Sequence, residues 1–95
     1  MPGYRRPVLI VQADSFNISK INTVIVLALT SNLRLAEAPG NIRIKAAQSQ
    51  LPRDSVINAS QILTIDKSFL TDYVTAVNSR VMNRVDDGMR LVLSL

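Results

Sequence analysis

Apolar and polar positions group along this chain in blocks short enough for strands, and only the last block has a helical period. Residues 7–14, PVLIVQAD, form an apolar run behind two arginines and predict a strand buried on both faces. Residues 15–22, SFNISKIN, are polar and predict a connector with room for one helical turn. Residues 23–30, TVIVLALT, predict a second buried strand, rich in β-branched side chains. Residues 31–41, SNLRLAEAPGN, read as a loop closed by the turn signal Pro39-Gly40. Residues 42–46, IRIKA, alternate apolar and basic and predict a strand with one dry face and one wet, basic face. AQSQLPRD follows as a loop. Residues 55–66, SVINASQILTID, predict one or two short strands, and the mixed LTDYVTAV of residues 70–77 is compatible with another. Across residues 78–95 the period changes: Asn78 suits an N-cap, and Val81, Val85, Met89 and Val92 recur at helical spacing. Gly88 weakens the middle of that helix, and the closing LVLSL is compatible with a short strand leaving it.

Short strands punctuated by turns, with one convincing helix at the end, predict a β-rich α+β architecture, a small barrel or sandwich. At 95 residues the chain reads as a single domain, 1–95, with no repeat or linker, and 47% apolar residues are enough for a core. No apolar run is long enough to span a bilayer, and the first residues do not read as a signal peptide, so the expected location is cytoplasmic.

A net charge of +4 and a pI near 10.1 favour an anionic partner, nucleic acid or an acidic protein segment, although a plain solvated basic surface is an equal reading of charge alone. The absence of histidine and cysteine narrows the chemistry more sharply. It removes the commonest general base, the commonest metal ligand and every His-activated nucleophile. The carboxylates Asp14, Glu37, Asp54, Asp66, Asp72, Asp86 and Asp87 are dispersed, so no metal site or cofactor is expected. Catalysis, if any, must rest on Arg, Lys, Tyr, Thr, Ser or an isolated carboxylate.

Arg5 and Arg6 stand before Pro7, whose ring disfavours helix at Arg6 and so fixes its position. They read either as a charged strand end or as a phosphate contact. Thr30, Ser31 and Asn32 leave the second strand as three small hydrogen-bonding residues, suited to a turn or to a ligand. Arg34, Arg43, Lys45 and Arg53 lie in or beside the loops as a solvated face or a nucleic-acid surface. Aromatics are few, Tyr4, Phe16, Phe69 and Tyr73, which argues against a sheet that stacks bases on several rings; Phe16 and Phe69 read as core, and Tyr4 is a lone aromatic compatible with stacking on a base.

Taken together, RRPVLIVQADSFN, VIVLALTSNLRLAEAPGN, LPRDSVINASQILTIDKSFLT and VDDGMRLVLSL resemble the MazF/PemK family of toxin endoribonucleases. The resemblance covers nearly the whole chain, in order. It implies a small SH3-like barrel with a C-terminal helix, a homodimer, and neutralisation by a cognate acidic antitoxin. It also implies metal-independent, sequence-specific cleavage of single-stranded RNA, in which the ribose 2′-OH attacks the adjacent phosphate. On the family pattern the catalytic residues are Arg6 and Thr30. Gln61 falls on a position at the RNA groove, and Arg5, Ser31, Asn32 and Arg53 are the further expected RNA contacts. Ser60 stands where the family often has an acidic residue, so base preference is expected to differ. Family members also carry a preceding strand and a loop bearing GSE. This chain is therefore expected to be N-terminally truncated, with an open edge beside its first strand and reduced activity. A catalytically impaired relative that only binds antitoxin or RNA is the alternative. A fold-level cousin that poisons DNA gyrase fits less well, because the residues at 6 and 30 follow the ribonuclease pattern.

Overall fold

In the computed structural model, which describes residues 6–12, 15 and 19–95, four strands make one antiparallel sheet in the order β1-β2-β4-β3. They are β1 (Val8–Ile10), β2 (Thr23–Thr30), β3 (Ile42–Ile44) and β4 (Ser55–Asp66). A 3-10 helix, Leu33–Glu37, connects β2 to β3, and a four-residue helix α1, Ala46–Ser49, connects β3 to β4. A second 3-10 turn, Lys67–Phe69, ends β4, and α2 (Ser79–Leu93) closes the fold.

Side-chain alternation sorts the sheet into two faces. One face carries Leu27, Ile42, Ile44 and Ile57, against which α2 lays Val81 and Val85; all six are buried in one cluster. Leu9, Val11, Leu29, Ile62 and Met89 pack at its margin. On the other face Val24, Val26 and Val56 are also buried, because the sheet curls into a half-barrel. The curl has a local cause. Leu27 pairs with Ile62 but Leu29 pairs with Ile57, so Ala28 alone faces residues 58–61. Unequal lengths of backbone across a ladder bend and twist the longer strand. Below this bulge β4 pairs only with β2; above it, Val56 and Ile57 pair with both β2 and β3, and Ser55 with β3.

Helix α2 begins where the sequence predicts. Asn78 accepts a hydrogen bond from the Val81 N–H through Oδ1 at 2.9 Å, which satisfies one orphan donor of the first turn. The helix runs on to Leu93, so LVLSL does not leave as a strand. Gly88 is there for packing: a Cβ at this position would overlap the backbone of Gly40, which takes a φ of +86° in the Pro39-Gly40 turn. Helix and turn therefore meet backbone to backbone.

Other expectations are corrected. β1 is shorter than residues 7–14, covering Val8–Ile10, and it is half-buried with Ile10 exposed, not buried on both faces. Residues 13–14, Phe16, Tyr4 and Arg5 lie outside the described residues. Residues 70–77 contain no strand. Phe69 is 74% exposed, so it is not core; it follows Asp66, whose Oδ1 caps the 3-10 turn by accepting the Ser68 N–H at 2.9 Å and so steers the chain off the sheet. AQSQ begins in a helical turn rather than a loop, because the Asp54 Oδ1 accepts the Ala46 N–H at 2.9 Å. No described helix is long and apolar enough to cross a membrane.

Candidate active site

Antiparallel pairing brings the start of β1, the end of β2, the start of β4 and the end of β3 to one end of the sheet. Each strand therefore delivers its flanking residues to the same rim. β1 and β2 pair Val8 with Ala28, and the Leu29 N–H donates to the Pro7 carbonyl at 3.2 Å. One more step of that register sets Arg6 opposite Thr30. Leu29 and Pro7 form the hydrogen-bonded pair, so Arg6 and Thr30 fall at the next position, where antiparallel side chains approach most closely.

The row continues across the sheet. Thr30 pairs with Val56, and Val56 pairs with Arg43. Directly paired residues point to the same face. Arg6, Thr30, Val56 and Arg43 thus stand in line on the face away from α2, with the fully buried Val56 as an apolar step between them. Neighbouring strands lie about 4.8 Å apart, so Arg6 and Thr30 are within reach of one phosphate group.

Thr30 is half-buried and Arg6 exposed. The Thr30 Oγ1 accepts the Asn32 N–H at 3.2 Å, and the Asn32 Oδ1 accepts the Arg34 N–H at 3.2 Å. These two bonds turn the chain from β2 into the 3-10 helix and hold the Thr30 oxygen in place. Its hydroxyl proton is left to donate. Thr30, Ser31 and Asn32 therefore do make the turn that their composition suggests, and the same turn presents Thr30 at the rim. Ser31, Asn32 and Arg53 are exposed at this end of the sheet. Gln61 stands apart from them, exposed in the β4 bulge, where its Oε1 accepts from the Asn58 Nδ2 at 3.5 Å.

Charge on the rim is positive. Arg6, Lys45 and Arg53 are exposed there, and Arg43 pairs with Asp54 at 3.2 Å. The Ala46 N–H and then the Arg43 guanidinium hold the Asp54 carboxyl below the usual carboxylate range. Asp54 thus stays anionic and neutralises one of the arginines of the row. Among the described residues no group of three His, Cys, Asp or Glu side chains comes together as a metal site.

Two features of the site are poorly visible in sequence. Arg43 was legible as a wet position of a strand and as one of several basic residues of a solvated face or nucleic-acid surface; its alignment with Thr30 depends on the register of β4. Asn41 follows the Pro-Gly turn and looks like an ordinary turn residue. Its Nδ2 donates to the Leu35 carbonyl at 2.8 Å and its Oδ1 accepts the Ala59 N–H at 2.9 Å, joining the 3-10 helix to the β4 bulge.

A family model described as the PemK-like, MazF-like toxin of type II toxin–antitoxin systems matches residues 1–93. The chain belongs to this family. It is 48% identical over 94 residues to "Endoribonuclease MazF6" of Mycobacterium tuberculosis, covering 99% of this chain and 82% of that protein. It is 40% identical over 93 residues to "Endoribonuclease EndoA" of Bacillus subtilis, covering 98% of this chain and 79% of that one. Among solved structures, "Endoribonuclease in complex with its cognate antitoxin from Mycobacterial species" superposes with a TM-score of 0.83 at 27% identity, over all of this chain and 87% of that one. "Mycobacterium tuberculosis toxin MazF-mt6" superposes with a TM-score of 0.84 over 95% of this chain and 87% of that one; at 19% identity this likeness establishes the fold. The half-barrel and terminal helix of this MazF-like chain are accordingly those of the MazF toxins.

Proposed function

We propose that this MazF-like toxin is a sequence-specific endoribonuclease that cleaves single-stranded RNA without a metal, with Arg6 and Thr30 as its catalytic pair. The observation that carries the proposal is the register of β1 on β2: Val8 pairs with Ala28 and the Leu29 N–H donates to the Pro7 carbonyl, so continuing the ladder by one step brings Arg6 beside Thr30. A scissile phosphate lying between them takes a hydrogen bond from the Thr30 hydroxyl on one non-bridging oxygen and a charge-assisted pair from the Arg6 guanidinium on the other. The ribose 2′-oxygen attacks the adjacent phosphorus as the bond to the 5′-oxygen breaks. The proton lost by the 2′-OH is balanced by one gained at the leaving oxygen, and the products are a 2′,3′-cyclic phosphate and a 5′-OH. Charge grows on the non-bridging oxygens during attack, so donors fixed at those positions act most strongly in the transition state.

The flanking residues extend the track. Arg5, Ser31, Asn32 and Arg53 contact phosphates and bases beside the scissile position, and Gln61 reads a base farther along β4. A cognate acidic antitoxin covers the same positive rim, and the toxin acts in the cytoplasm as a homodimer folded from a single domain. Support comes from the antitoxin complex described for the structural relative above and from the basic rim itself.

The test is cleavage of an unstructured RNA in EDTA by the wild-type chain, by Arg6→Ala, and on an RNA carrying 2′-deoxyribose at the scissile nucleotide. Cleavage by the wild type alone, and only of the all-ribose RNA, is the expected result. Equal cleavage by Arg6→Ala, or of the deoxy substrate, overturns the assignment. Antitoxin binding without any cleavage would instead identify a binding-only relative.

A further inference from the structure

The bulge of β4 creates a problem in hydrogen bonding that one side chain solves. Residues 58–61 face Ala28 alone, so their backbone has too few ladder partners. Ala59 is fully buried in the middle of this stretch, and its N–H finds the Asn41 Oδ1 at 2.9 Å. The other arm of the same amide, Nδ2, donates to the Leu35 carbonyl at 2.8 Å. Ala59 N–H can only donate and the Leu35 carbonyl can only accept, so one orientation of the Asn41 amide satisfies both.

These contacts connect two parts of the site that share no strand end. Leu35 belongs to the 3-10 helix, whose N-cap Asn32 bonds to Thr30. Ala59 belongs to the bulge, where the Ser60 hydroxyl donates to the Asn58 Oδ1 at 2.8 Å and Asn58 donates to Gln61. Asn41 is thus the bridge between the segment that presents Thr30 and the segment that presents Gln61. Its own position is fixed by its N–H bond to the Ala38 carbonyl at 3.1 Å, in the turn that α2 clamps through Gly88.

We infer that Asn41 is a positioning residue for substrate selection: it sets the distance between the Thr30 turn and the Asn58–Ser60–Gln61 network, and so determines which base the toxin accepts near the scissile bond. The inference rests on the nuclease reading above for its substrate class, single-stranded RNA. Asn41 acts through its bonds to Leu35 and Ala59 and is assigned no part in the chemical step. Its removal changes which RNA is preferred, because the two halves of the site are no longer held at one spacing.

The experiment compares the wild type, Asn41→Asp and Asn41→Ala on a panel of short RNAs that differ at one base near the cleavage position. The same panel made with 2′-deoxyribose at that position is used to measure binding. Asp keeps the acceptor for Ala59 and loses the donor to Leu35; Ala loses both. The readout is the ratio of rates, or of affinities, between panel members, well below each melting temperature. A simple loss of folded protein scales all members equally and leaves that ratio unchanged. The expected result is a change of about tenfold in the preferred-to-disfavoured ratio for Asn41→Asp, the size of discrimination that one misplaced contact controls. If Asn41→Ala fails to fold, Asn41→Asp still decides. Ratios equal to wild type in Asn41→Asp, or a wild type that shows no preference, overturn the inference. A wild type that cuts nothing yet binds the deoxy panel selectively, with a ratio altered in Asn41→Asp, upholds it and refutes the nuclease reading alone.

Discussion

In the proposed mechanism Thr30 serves two purposes through one oxygen. It accepts the Asn32 N–H, which makes the turn, and it retains a proton with which to donate. The distinction is testable with two β-strand-compatible side chains. Thr30→Val keeps the branched shape and loses the hydroxyl, and cleavage is expected to fall by about 10²–10³-fold, the usual cost of removing one donor from a transition-state site. Thr30→Ser keeps the hydroxyl and should remain within about tenfold of wild type, giving up mainly the rotamer restriction of a branched side chain. Single-turnover cleavage of one RNA at matched folded fraction measures both. The candidate pair itself came from the family resemblance; the residue pattern alone offered a position pinned by the proline after Arg6 and a strand end at Thr30 suited to a turn or to a ligand. The alignment of Arg6 with Thr30 was not legible, because it depends on a ladder register that neither segment encodes alone.

Among the elements, β2 matches its sequence boundaries because it is central: paired on both sides, its whole apolar run is used. β3 keeps the expected alternation, with Ile42 and Ile44 buried and Arg43 exposed, but it stops at Ile44 rather than residue 46, because Ala46 already opens the short helix α1. β1 falls short of its apolar run, having a described partner on one side only. β4 was the hardest to read, since a bulge inserts residues without changing the apolar composition around it. The stretch TIDK at the end of β4, residues 64–67, stitches the structure together. Asp66 caps the following turn, and Lys67 donates through its N–H to the Asn22 carbonyl at 2.7 Å and through Nζ to the Ser19 carbonyl at 3.2 Å. Gly88 read as a weak point of α2 but is a contact that only glycine permits. Gly88→Ala adds a methyl where the Gly40 carbonyl already lies, and backbone cannot step aside as a flexible side chain does. The expected loss is about 3 kcal/mol or more despite the gain in helix propensity, seen as a lower denaturant midpoint at unchanged slope. A gain in stability would show that helix and turn do not meet as described.

At the scale of the whole molecule, charge sets the response to acid. Asp54 and Asp66 both titrate below the ordinary carboxylate range in the folded state, Asp54 through the Ala46 N–H and Arg43, Asp66 through the backbone and side chain of Ser68. A carboxyl depressed by folding stabilises the fold above its unfolded value, and that contribution disappears as pH falls through the folded value. The melting temperature is therefore expected to be flat from neutral pH to about 5 and to fall below about 4. Asp54→Asn should start lower and fall less over that range; a parallel curve would exclude Asp54 as a source of the acid response. The clamp between Gly40 and Gly88 also bears on timing. Gly88 is synthesised 48 residues after Gly40. Until α2 has emerged and docked, the turn that carries Asn41 lacks the backbone of Gly88 behind Gly40. Domains fold as their chain becomes available during synthesis. In this molecule the sheet can pair as soon as β4 is made, yet the support behind its bulge arrives only with the helix. A ribosome-bound chain that stops short of the helix would then hold all its matched site residues and still lack their final arrangement.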